Sequence, residues 1–233
     1  MKLHVGTSGY SYKEWKGSFY PKDLPTKQML HYYAERFPTV EINNTFYRMP
    51  TPSVLEAWAA DVPADFKFVL KAPQRITHFQ RLKDVSESVS HFLNVAGTLH
   101  EHLGPLLFQL PPNMKKDAAR LCELLATLPA QRRAAIEFRH SSWFDNEVFD
   151  LLRSHQTALC IAEAEDDLEV PFVSTANWGY VRLRRPDYAD KDLKAWAKGI
   201  QQQDWNDVFV FFKHEDAGKG PAFAKRFLEL AAT

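Results

Sequence analysis

Ala134-Ala-Ile-Glu-Phe-Arg139 is the stretch on which the reading of this chain turns. It is too short for a helix, rich in β-favouring residues, and it alternates: Ile136 and Phe138 are apolar, whereas Glu137 and Arg139 are charged. Side chains alternate between the two faces of a strand, so one face of this strand is greasy and the other charged. In a sheet covered by helices, the greasy face meets the helices. The charged face must then look into something else.

Working outward, similar short runs recur along the chain: Leu3–Thr7, Thr39–Asn43, Phe66–Lys71, Leu106–Leu110, Ala158–Ala162, Tyr180–Arg184 and Val208–Lys213. Helical segments separate most of them. Thr26–Phe37 carries a stripe at Met29, Leu30, Tyr33 and Phe37, the spacing of one helix face. Pro52 and Ser53 introduce Val54–Ala60, with Ser53 and Glu56 spaced as a capping box. Asp84–Leu103 is expected to be a long helix stopped by Gly104 and Pro105. Lys115–Leu128, Asn146–His155, Asp190–Gln202 and Pro221–Ala231 have the same character. Alternating strands and helices call for a parallel sheet, because parallel neighbours need crossover connections. Gly6-Thr-Ser-Gly9 is too short a glycine pattern for the phosphate turn of an open dinucleotide-binding sheet. Eight strands in 233 residues therefore predict a TIM-like (β/α)8 barrel of eight parallel strands, in one domain spanning residues 1–233. Only Glu163 to Gly179, which contains Pro171, joins strands six and seven. A short or missing helix is expected there.

Totals narrow the function classes. Lys plus Arg and Asp plus Glu are both 29, so no global field draws the molecule to nucleic acid or membrane. The opening Met-Lys-Leu-His-Val-Gly has no apolar signal core, and no window approaches a membrane span. A cytoplasmic protein without membrane association is expected. Cys122 and Cys160 sit among apolar residues and are expected as buried, reduced thiols rather than a disulfide.

Any electrostatic function must come from local segregation, and strand parity supplies it. Glu41 and Asn43 alternate with Val40 and Ile42; Lys67, Val69 and Lys71 with Phe66, Phe68 and Leu70; Gln109 with Phe108 and Leu110. Tyr180, Arg182 and Arg184 alternate with Val181 and Leu183, and Lys213 shares parity with Phe209 and Phe211. Most of these charges fall near the carboxyl ends of their strands, where barrel enzymes build their sites. Unpaired charge inside a barrel is costly, so a chain that keeps several groups there uses them or pairs them off in a structural network.

The candidate catalytic groups are Glu41, Glu137 and Lys71. The two glutamates divide acid and base roles if their pKa values are pushed apart; otherwise they balance Arg139 and Arg182. Lys71, beside other cations, is a candidate nucleophilic amine or a simple phosphate-binding lysine. The candidate ligand-binding residues are Tyr10, Asn43, Asn44, His78, Gln109, Arg139, Trp143, Arg182, Arg184 and Lys213, with Arg75 and His214 nearby. Glu163, Glu165, Glu215 and Asp216 are candidates for the rim, and Trp15, Tyr47 and Trp178 fall in loops where aromatics either stack on a ligand or pack the core. Arginine forks suit phosphate and carboxylate oxygens. The expected partner is thus a small anionic metabolite, handled by acid–base hydrolysis or lyase chemistry. A nucleic-acid-binding or nucleic-acid-processing barrel and a non-catalytic ligand sensor are the alternatives. No cofactor is expected. A divalent metal finds no support in ligand spacing, and the surrounding cations would repel it.

The strand ends also carry blocks that resemble a known family. Gly6-Thr-Ser-Gly-Tyr-Ser-Tyr-Lys-Glu-Trp-Lys-Gly-Ser-Phe-Tyr-Pro21, Val40-Glu-Ile-Asn-Asn-Thr-Phe-Tyr-Arg48, Phe68-Val-Leu-Lys-Ala-Pro73 with Thr77-His78, Phe108-Gln-Leu-Pro-Pro112 and Ile136-Glu-Phe-Arg-His-Ser-Ser-Trp143 are similar to the domain-of-unknown-function 72 family. The resemblance runs across nearly the whole chain and implies a TIM-like barrel without supplying a reaction. Two places depart from the pattern. Strand seven ends Arg182-Leu-Arg-Arg185 where many members have Arg-any-His-Gly, and strand eight ends Phe212-Lys-His-Glu-Asp216 where paired asparagines are common. A more basic mouth is expected here.

Overall fold

The computed structural model describes residues 1–163 and 168–232. Eight strands, β1 (Lys2–Ser8), β2 (Thr39–Ile42), β3 (Lys67–Lys71), β4 (Leu103–Gln109), β5 (Ala134–Glu137), β6 (Ala158–Ala162), β7 (Trp178–Leu183) and β8 (Asp207–Phe212), pair in sequence order. All pairings are parallel, and β8 closes onto β1 through Val5↔Val210 and its neighbours. Helices α1 (Met29–Ala34), α2 (Pro52–Ala60), α3 (Ser86–Gly97), α4 (Ala118–Ala126), α5 (Asn146–Ser154), α6 (Asp190–Gln201) and α7 (Lys219–Ala231) connect them. The described residues between β6 and β7 form no helix.

Strand parity sorts the buried apolar residues into two separate clusters. Val40, Ile42, Phe68, Leu70, Phe108, Ile136 and Phe138 belong to the layer between sheet and helices. Val69, Leu107, Ala135, Cys160, Tyr180, Phe209 and Phe211 form a second cluster inside the barrel. This inner packing is a floor. The small residues Ala135, Cys160 and Ala162 on β5 and β6 leave the volume that the large inward residues of β7 fill, since Cys160 is the register partner of Tyr180 and Ala162 of Arg182.

Three local expectations are corrected. The segment Asp84–Leu103 is not one helix: Asp84 sits at φ 51° and His100 at φ 45°, left-handed conformations that end a helical run on either side. Gly104 and Pro105 lie inside β4 rather than stopping a helix. They are tolerated because the β3–β4 register shifts beside them, between Phe68 and Leu70, where proline's missing donor is not needed. Ser53 and Glu56 form no capping box. Thr51 is the N-cap, and Pro52 takes the first turn, where its fixed φ suits a helix start. Finally, Cys122 is exposed, whereas Cys160 is buried; both are free thiols.

Candidate functional site

The inward charges meet at the carboxyl ends of the strands. Ser8 and Glu41 are register partners, as are Gln109 and Glu137. Arg182 reaches from β7 across to both glutamates: Nη2 donates to Glu41 Oε1 at 2.7 Å and Nη1 to Glu137 Oε2 at 2.6 Å. Both carboxylates are fully buried and Arg182 is 1% exposed. Glu41 also accepts from Ser8 Oγ at 2.6 Å and from the Tyr180 hydroxyl at 2.5 Å. Glu137 accepts further bonds from Gln109 Nε2 at 2.9 Å and Arg139 Nε at 3.0 Å, and Arg184 Nη2 lies 3.7 Å away.

Burial alone would raise the pKa of either carboxyl group. The charge of Arg182 overrides it in both, joined at Glu41 by the Arg182, Ser8 and Tyr180 hydrogen bonds and at Glu137 by Arg184, Arg139 and Gln109. Both groups are held below the ordinary carboxylate range. The two glutamates are therefore pushed the same way, not apart, and an acid–base division between them is corrected to a shared anionic clamp around one arginine. Arg182 is likewise too deep to be an anion-binding fork. Both Nη groups are spent on the clamp, and Nε is buried with no partner among the described residues.

Lys71 stands differently. Its Nζ donates to Gln109 Oε1 at 2.8 Å and lies 4.1 Å over the Phe46 ring, and it has no carboxylate within ion-pair distance among the described residues. Gln109 has no choice of orientation: its amide nitrogen is held by acceptor-only Glu137, so its oxygen must face the lysine. Burial, then the charges of Arg182 and Arg139 against the opposing pull of Glu137 and Glu41, brings the Lys71 amine down to about 8. His78 packs edge-on against the same Phe46 ring at 4.8 Å and contacts Thr77 Oγ1 through Nδ1 at 2.9 Å. Burial, with Lys71, Arg139 and Arg81, pushes its pKa down, so it is neutral at pH 7.

The other expected residues divide. Asn43 is half-buried at the start of the turn Asn44–Phe46, Asn44 is exposed, and neither side-chain amide is bonded among the described residues. Arg184 is mostly buried and donates through Nε to the Glu163 carbonyl at 3.2 Å. With exposed Lys213 it lines an adjoining cavity of about 380 Å³ that also touches His214, Glu215, Asp216 and Lys219. His214 itself is buried, with Nε2 2.5 Å from the Arg185 carbonyl and its ring against Phe223. Glu163 is taken up by Arg185 and the Tyr188 hydroxyl, Arg75 is exposed, and Glu165 lies outside the described residues. Two aromatic assignments are corrected. Trp143 is fully buried, stacked 4.7 Å from Phe138 with Nε1 on the Met114 carbonyl. Tyr10 packs toward Tyr33 of α1 and is raised to about 12 by burial and then by Asp61, so it belongs to the helix layer. Trp15 and Trp178 are also buried, while Tyr47 is 73% exposed.

Ser8, Tyr12 and Phe46 are the site residues that sequence reasoning missed. Ser8 shares the inward parity of β1 and carries that signal. Tyr12, whose hydroxyl donates to the Ser8 carbonyl at 2.9 Å, and Phe46 lie in turns, where parity says nothing.

Among the described residues no three His, Cys, Asp or Glu side chains cluster as a metal site, and no helix is long and apolar enough to cross a membrane.

Fold and site together define an α/β barrel protein with a buried Glu–Arg–Glu clamp beneath a basic mouth. The chain belongs to the family described as protein of unknown function DUF72, whose model matches residues 4–233. It is 27% identical to the UPF0759 protein YunF of Bacillus subtilis, over 98% of this chain and 94% of that one. It is 32% identical to the UPF0759 protein YecE of Escherichia coli, over 49% of this chain and 43% of that one. A crystal structure of a DUF72 family protein from Thermotoga maritima superposes with a TM-score of 0.90 at 26% identity over the whole of both chains. One from Enterococcus faecalis reaches 0.83 at 19% identity, covering 99% of this chain and 96% of that one, and speaks to the fold alone.

Proposed function

We propose that this protein, acting as a single barrel domain in the cytoplasm, binds a small phosphate- or carboxylate-bearing molecule at the carboxyl-terminal mouth. The observation that carries this reading is a charge imbalance. Two buried carboxylates, Glu41 and Glu137, face four cations, Arg182, Arg139, Arg184 and Lys71, a surplus of two positive charges among the described residues. Arg182 spends itself on the clamp. Arg139, 31% exposed, and Lys71 keep donors that no side chain among the described residues takes up. Donors held in fixed positions around low-dielectric walls favour an anion more than solvated surface cations do.

Any acid–base chemistry then falls to Lys71, whose amine is brought down to about 8, with the neutral His78 beside the same ring, and not to the clamped glutamates. Isothermal titration with inorganic phosphate and sulfate tests the binding. Arg139→Ala removes charge-assisted hydrogen bonds of about 1.5–3 kcal/mol, so affinity falls tenfold or more. Unchanged affinity in both Arg139→Ala and Lys71→Ala sinks the proposal. Tight, steeply salt-dependent binding of a random oligonucleotide that phosphate does not displace would favour the nucleic-acid reading instead.

A further inference from the structure

We propose that Lys71 forms an imine with an aldehyde or ketone that carries a phosphate or carboxylate group, so that the mouth is a site for anionic carbonyl compounds. This rests on the anion-binding reading above and adds the reacting group to it.

An amine is an effective nucleophile when it is kept from carboxylates, partly desolvated and close to other cations. Lys71 meets all three conditions. Glu41 from β2 and Glu137 from β5 are the acids facing it, and both are spent on Arg182 from β7, with Arg139 also on Glu137. Among the described residues the lysine is offered only the neutral Gln109 oxygen as an acceptor, because Glu137 fixes that amide. One wall of its surroundings is the Phe46 ring, which sheds water from that side. A plain phosphate-binding lysine needs none of this. A chain of Arg182, Glu137 and Gln109 that denies the amine a counter-ion does more than hold a charge.

The step balances simply. The Nζ lone pair attacks the carbonyl carbon to give a carbinolamine, the carbonyl oxygen departs as water with the two amine protons, and a C=N bond remains. His78, neutral and packed on the same ring as Lys71, is placed to carry those protons. Arg139, tethered through Nε to Glu137 and partly exposed, is placed to hold the anionic group of the substrate.

The test uses the full chain with pyridoxal 5′-phosphate and with glyoxylate as anionic aldehydes, trapped by borohydride and mapped by mass spectrometry at pH 8. At sub-stoichiometric aldehyde, the expected adduct sits at Lys71 with at least tenfold enrichment over exposed Lys22 and Lys27, and inorganic phosphate suppresses it. Gln109→Glu gives the amine a carboxylate and slows trapping about fivefold at that pH, as expected when an acidic neighbour raises by one unit the pKa of an amine that starts at about 8. Lys71→Arg, which has no nucleophilic amine at this position, abolishes the adduct. Adducts spread evenly over surface lysines, or Gln109→Glu trapping as fast as the wild type, overturn the imine. Phosphate binding that persists in that case leaves the anion site standing; its absence takes both down.

Discussion

Arg182 Nη2 and Glu41 Oε1, 141 residues apart in sequence, meet at 2.7 Å inside a barrel layer where neither side chain is more than 2% exposed. The contact joins β7 to β2, strands that are not neighbours, and so it spans the barrel rather than stitching its wall.

That strut carries charge whose removal has a cost. Removing one partner of a buried ionic group strands charge in low dielectric, at a cost of about 3–5 kcal/mol. Arg182→Met, similar in length, leaves two buried carboxylates facing each other, and urea denaturation is expected to show a loss of that size. The triple variant Arg182→Met, Glu41→Gln, Glu137→Gln removes the stranded charges and should recover most of it. A triple variant no more stable than the single one would mean that packing, not charge, sets the cost.

Acid sensitivity follows from the same clamp. Glu41 and Glu137 have folded-state pKa values below their unfolded values. Their contribution to stability is therefore complete above the unfolded value of about 4.3 and is lost as pH falls through the folded one. Between about pH 4.5 and pH 2.5 the denaturation midpoint of the wild type should drop more steeply than that of Glu137→Gln, which has one such carboxylate fewer. Parallel slopes would show that the clamp does not hold Glu137 ionised.

How much of this was open to sequence reasoning depends on the residue. Alternation in Ala134–Arg139 and Tyr180–Arg184 places Glu137 and Arg182 on the inner face, because the strand period is two whatever the context. Parity has no information about depth. Arg182 reads as a ligand fork from sequence, and only its reach across the lumen to two carboxylates makes it a strut. The glutamates read as an acid–base pair for the same reason. Turns are opaque altogether: Tyr10 and Tyr12 are two residues apart in one loop, yet Tyr10 packs on α1 while Tyr12 reaches Ser8 beside Glu41. Tryptophan in a loop is also ambiguous, and Trp143 shows that a residue outside regular structure can be wholly buried.

The Lys71 amine, at about 8, gives anion binding a pH dependence that phosphate itself would obscure. Sulfate keeps one charge state across neutral and basic pH. Its affinity should stay level up to about pH 7 and fall roughly tenfold by about pH 9.5 as the lysine loses its proton and one charge-assisted hydrogen bond disappears. The arginine of Lys71→Arg keeps its proton throughout, so that variant should give a flat profile. A fall of equal size in both would assign the dependence to another group.

Trp143 separates stability from binding. Its indole stacks at 4.7 Å on Phe138, whose side chain points away from the lumen, and its Nε1 satisfies the Met114 carbonyl at 2.7 Å. Trp143→Ala opens a core cavity and leaves that carbonyl without its donor. Truncations of this kind cost about 3–5 kcal/mol, with the orphaned acceptor adding to the loss. Arg139 leaves the same strand end on the opposite parity, held by Glu137 rather than by the indole. Sulfate affinity at low temperature, where the variant remains folded, should therefore match the wild type. Trp143→Phe should recover part of the stability and none of the hydrogen bond. If instead Trp143→Ala weakened sulfate binding tenfold while denaturation showed little change, the indole would belong to the mouth and its placement in the helix layer would be wrong.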